Sequence, residues 1–135
     1  MIKSTTLVVL VAAAALLCAQ DRIKSGLWEN TVTSHGRSIT HKSCLTEAEL
    51  ATTNGTVQAI RESMAKTFAN TNGSCTLKDL KIEGNSMTSQ TVCGATSFTN
   101  VMVFHGDTAE TTSTSTKAGV TTVTHISGRR LGVCP

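Results

Sequence analysis

Four histidines, five cysteines and one tryptophan are the residues of this 135-residue chain with the most chemistry to offer. His105 stands two positions before Asp107, with Gly106 between them. At that spacing an imidazole and a carboxylate can meet as an oriented general base. Neighbours this close also arise by chance in strands and turns, and His35, His41 and His125 are scattered through one turn and two strands. Each histidine therefore reads first as a structural or solvated side chain. No serine lies in a Gly-x-Ser-x-Gly elbow, which leaves a serine nucleophile unsupported. No two cysteines stand at CxxC spacing, which argues against zinc. No residue is expected to be catalytic, metal-binding or cofactor-binding, and no cofactor is expected. Trp28 is the one candidate for lining a ligand pocket, set against its simpler role as a large aromatic packed near the open end of a sheet. Gly26 serves backbone geometry, since nothing around it resembles a P-loop or GxGxxG.

The frame that must hold these residues begins with an export signal. Lys3 precedes an apolar run from Leu7 to Leu17, followed by Ala19-Gln20-Asp21. The run is short for a bilayer span, and no later segment has membrane length. Residues 1–19 are expected to be a signal peptide and residues 20–135 a single disulfide-bridged domain, periplasmic or secreted. Leu17 is bulkier than the usual residue three places before such a cut. Cys18 offers a lipid anchor as the alternative, but the same Leu17 stands where a lipoprotein signal has a small residue. Cutting after Ala19 leaves Cys44, Cys75, Cys93 and Cys134, an even number that reads as two disulfides with three pairings open. The favoured pairing is Cys44–Cys75, closing a helical excursion, with Cys93–Cys134 pinning the C-terminus to the middle of the sheet.

That excursion, residues 46–68, is the only long run with helical periodicity. Thr46 and Glu49 form a capping-box signature. After a weak spot at Asn54-Gly55, Val57, Ile60, Met64 and Phe68 make one apolar stripe. The rest alternates as strands between turns at Ser34-His35-Gly36, Gly84-Asn85, Gly94, Gly106-Asp107 and Lys117-Ala118-Gly119. Residues 21–25 read as a mobile lead-in and residues 127–135 as an irregular tail held by its cysteine. Met87 and Val92 are out of phase, which calls for a bulge or an exposed side chain. In residues 97–105, Phe98, Met102 and Phe104 oppose Val101 and Val103, so both faces are apolar and either a central, twice-covered strand or a partly closed barrel-like curve is expected. The fold class is mainly β (α+β): a curved antiparallel sheet of about seven strands in hairpin order, with one helical insertion after the second strand packed on it.

Twelve basic against nine acidic residues give a net charge of +3 with the signs interspersed, and Arg129-Arg130 is the one adjacent basic pair. With so few aromatics, this excludes a nucleic-acid face. The opening Gly26-Leu27-Trp28-Glu29, the four later cysteines and the closing Gly128-Arg129-Arg130-Leu131-Gly132-Val133-Cys134 resemble the bacterial domain-of-unknown-function 3617 family over the whole mature chain. The resemblance implies a small exported protein, of a kind found chiefly in proteobacteria, whose biochemical role is uncharacterised. It carries over no catalytic residue. The family commonly has Trp where this chain has Arg130. Three function classes follow. The first is a non-enzymatic binding or accessory domain for an envelope protein or small ligand, and the second a structural or stress-associated envelope protein. A small exported enzyme ranks below both.

Overall fold

A computed structural model describes residues 21–70 and 74–135. The expected signal peptide and Cys18 lie outside these residues. The strands are β1 (Gly26–Ser34), β2 (Arg37–Leu45), β3 (Cys75–Glu83), β4 (Ser86–Cys93), β5 (Thr96–Phe104), β6 (Thr108–Lys117) and β7 (Val120–Gly132), with helices α1 (Glu47–Leu50) and α2 (Val57–Ala69) between β2 and β3. They form one seven-stranded antiparallel sheet in the order β2-β1-β7-β6-β5-β4-β3. The run from β3 to β7 is a meander, and the first hairpin then joins its far side by pairing β1 with β7.

The register sorts the side chains into two faces, since directly opposed residues point the same way. One inner-face row crosses the whole sheet as Ile39, Val32, Ile126, Thr111, Met102, Met87 and Ile82. Next to it, toward one end, stand Asn30, Gly128, Ala109 and Phe104, with Trp28 and Arg130 beyond. Toward the other end the row turns polar through Arg37, Ser34, Thr124, Ser113, Asn100 and Ser89, and ends on β3 at buried Leu80. The core therefore sits at one end, where Ile23, Trp28, Leu50 and Phe104 cluster with Leu45, Met87, Met102 and Ala109. The outer face carries Thr31, Thr33, Thr112, Thr114 and Thr116, β-branched residues that suit a solvated strand surface.

Several expectations change. The helical run is two pieces: Thr46 caps α1 through the predicted box, its hydroxyl accepting from the Glu49 N–H while the Glu49 carboxylate accepts from the Thr46 N–H. Thr56 caps α2 by accepting from the Ala59 N–H. The α2 stripe packs against β3 but buries only Ile60, leaving Met64 and Phe68 half-buried and Val57 38% exposed. The short α1 contributes Leu50 to the main cluster instead. Val101 points outward and is exposed, so the outer side of β5 faces solvent. The bulge lies in β3, between Leu77 and Asp79, while the β4–β5 ladder is regular and Val92 falls on the outer face. The strand after Gly119 continues to Gly132, so Arg129 and Arg130 belong to the sheet and not to a tail.

Residues 21–25 are also part of the fold. Ile23 is buried and bridges Gly106 in parallel, with the Lys24 N–H donating to the Gly106 carbonyl at 3.1 Å and the Gly106 N–H to the Arg22 carbonyl at 3.2 Å. Pairing with the β5–β6 turn satisfies a backbone that burial of Ile23 takes out of water.

Candidate functional site

The opening and closing motifs, 100 residues apart in sequence, lie side by side on β1 and β7: Leu27 opposes Gly132, Trp28 opposes Arg130 and Glu29 opposes Arg129. Trp28 is 1% exposed and its indole N–H donates to the Lys24 carbonyl at 2.9 Å. Its ring fills the core end of the inner face, the packed-aromatic role of the two the sequence offered. Gly128 lies beneath it: a Cβ there would sit 2.7 Å from Asn30 Oδ1, so the Asn30 amide would have to shift, and in ordinary contact with Trp28 Cε3 at 3.5 Å. Gly26 adopts φ +144°, which side chains disfavour, and a Cβ would sit 2.6 Å from Arg130 Nε.

The charges around this seam are arranged in pairs. On the outer face Arg129 Nε and Nη2 both donate to Glu29 Oε1, at 2.9 and 2.7 Å. On the inner face Arg130 Nε donates to the Ser25 carbonyl at 2.7 Å, and its Nη1 lies 4.0 Å from Asp107 Oδ1. Lys24 Nζ holds the other Asp107 oxygen at 3.0 Å. The Asp107 carboxylate thus faces Lys24 and Arg130 in place of the base pairing with His105 that their spacing allowed. His125 Nδ1 lies 3.3 Å from Thr112 Oγ1 on the outer face. Glu49 is held below the usual carboxylate range by the Thr46 backbone N–H and then by the Thr46 hydroxyl.

Two residues to which the sequence reading gave no structural role do much of the locking. Arg22 Nη1 donates to the carbonyls of Thr53 and Gly55, both at 2.8 Å. The Asn54 amide grips the Ile23 backbone, donating to its carbonyl at 2.9 Å and accepting from its N–H at 3.1 Å. The signal was present in Asn54-Gly55, a polar break between two helix starts with no other reason to be ordered.

The disulfides correct the expected pairing. Cys44 joins Cys134 and Cys75 joins Cys93, in place of Cys44–Cys75 and Cys93–Cys134. The reason is topological: Cys44 ends one edge strand and Cys75 begins the opposite edge strand, so the helical excursion carries them apart. Cys75 and Cys93 are direct partners across the β3–β4 hairpin.

Two hollows flank these elements. One of about 460 Å³ is lined by Arg22, Lys24, Asn85, Phe104, His105 and Gly106, with Asp21 at the same place. Another of about 470 Å³ lies at the far end of the first hairpin, lined by Val32, Ser34, His35, Arg37 and Ile39. Among the described residues, no group of three or more His, Cys, Asp or Glu is placed to hold a metal ion, and no helix is long and apolar enough to cross a membrane.

The architecture defines a disulfide-stapled antiparallel sheet closed at one end by an N-terminal seam. A family model described as "Protein of unknown function (DUF3617)" matches residues 23–134, and the chain belongs to that family. The match begins at buried Ile23 and ends at Cys134, so it spans every element described above. No curated protein and no solved structure matches the chain.

Proposed function

We propose that this protein is a non-enzymatic binding or accessory domain of the cell envelope. Residues 1–19 direct its export, and the domain acts in the periplasm or after secretion. The observation that carries this reading is the unequal covering of the sheet. The Trp28 end and the β3 side are packed and bridged, whereas at the far end of the first hairpin Ile39 is 71% exposed beside the hollow it lines with Val32. Exposed apolar groups beside a concavity on a rigid frame suit recognition. The pairing of Asp107 with Lys24 and Arg130 counts against the one oriented base that the sequence suggested, His105 with Asp107.

A photocrosslinking scan tests the reading. A photoreactive residue is placed in turn at Thr40 on β2, Thr114 on the outer face and Ser113 on the inner face of β6, in cells producing the full chain. Discrete adducts from one position, competed by excess unlabelled protein, are expected. Absence of a competed adduct at all three positions overturns the proposal.

A further inference from the structure

We infer that the bare edge of β2 accepts an extended, acidic peptide segment of a partner protein as an eighth strand. The inference rests on the binding reading and names its site and partner chemistry. β2 is an edge strand of nine residues, exposed from Arg37 through Lys42. His35 and Gly36 both have positive φ, 50° and 72°, which makes a two-residue turn of the primed kind. Such a turn makes Ser34 and Arg37 a hydrogen-bonded pair, and the alternation of the ladder then directs the main-chain groups of Ser38, Thr40 and Lys42 away from β1. These groups are what an added strand pairs with.

Charge selects the occupant. Residues 37–45 contain Arg37, His41 and Lys42 and no Asp or Glu. The nearest carboxylate on the neighbouring strand, Glu29 opposite Lys42, is engaged by Arg129. A second copy pairing through β2 would set this basic strand against itself, and an edge lysine also deters neutral strands. An acidic segment converts the same charges into attraction. The hollow lined by Val32, Arg37 and Ile39 sits on the inner side of this edge and gives one apolar side chain of the segment a place to settle.

Calorimetry on the disulfide-bonded protein tests this with two nine-residue peptides. One is built from threonine and aspartate with a central leucine, and the other has lysine for every aspartate. The acidic peptide is expected to bind, and the lysine version to bind about tenfold or more weakly. Thr40→Pro removes an outward N–H and the Thr31–Thr40 hydroxyl contact without removing a β1–β2 backbone bond, and is expected to abolish binding. Lys42→Glu keeps the backbone intact and is expected to weaken the acidic peptide and strengthen the basic one. Equal binding of both peptides, or an acidic peptide indifferent to Lys42→Glu, overturns the edge site. If no peptide binds while crosslinks form at Thr114 or Ser113, the edge site falls and the binding reading stands. Failure of both experiments removes both.

Discussion

The two edges of the sheet are treated differently. At β3 the strand carries a bulge between Leu77 and Asp79, buries Leu80, is bridged to β4 through Cys75–Cys93 and has α2 laid against it with Ile60 buried. At β2 the six residues from Arg37 to Lys42 are exposed and, among the described residues, the distal end is the part tied by a bridge, Cys44–Cys134. The difference follows from the path of the chain. The helical excursion leaves from β2 and arrives at β3, and its longer helix covers the strand it arrives at. An open edge invites pairing with any passing strand, and natural sheets blunt it with charge. Arg37 and Lys42 supply that charge here, whereas β3 has a bulge and a helix packed against it.

Breaking the two bridges separately gives the largest contrast. Replacing Cys44 and Cys134 by serine releases a closure spanning 90 residues and is expected to cost about 4–5 kcal/mol in denaturant unfolding. The Cys75/Cys93 pair spans 18 residues and is expected to cost about 3 kcal/mol. Equal losses would show that the Cys44–Cys134 bridge does not carry the long-range closure between β2 and the end of the chain. Leu80→Ala at the covered edge is expected to cost about 3 kcal/mol, as for other buried leucines. Phe68→Ala, where the ring is half-buried, is expected to cost about 1–2 kcal/mol. Ile39→Ser at the open edge is expected to stay within about 0.5 kcal/mol of wild type, and a larger loss would mean that β2 is covered after all. The smallest effect belongs to Glu49→Gln. The folded carboxylate titrates below its ordinary value, so its stabilisation is present above the unfolded pKa and is lost as pH falls through the folded one. The wild-type advantage over Glu49→Gln should therefore be seen at neutral pH and vanish in acid; a difference that persists or grows in acid would contradict the cap.

Much of the sheet was legible because its signals are local. The turns at Gly36, Gly84 and Gly119 mark hairpins, and the box at Thr46 and Glu49 marks the start of α1. The disulfides were not read correctly because connectivity depends on the order of strands, and the β1–β7 pairing joins residues about as far apart as the chain allows. Half of the answer was nonetheless in the hairpin itself. Cys75 and Cys93 stand almost symmetrically about Gly84-Asn85, which places them opposite each other whatever the rest of the chain does. The lead-in was misjudged because Ile23 is a single apolar residue among polar ones, and its burial depends on Asn54 and Gly106 arriving from elsewhere. Arg130 looked solvated because Arg129-Arg130 reads as a charged tail. Alternation along β7 sends the two side chains to opposite faces, and Arg130 spans from Ser25 to Asp107.

Amide hydrogen exchange followed residue by residue, with and without the acidic peptide, tests the open edge most directly. Without peptide, the amides of Ser38, Thr40 and Lys42 should exchange fast while those of Ile39 and His41, turned toward β1, are protected. Peptide should slow Ser38, Thr40 and Lys42 and leave β3 and α2 unchanged. Protection that appears along β3 and α2, or on neither edge, would contradict the account.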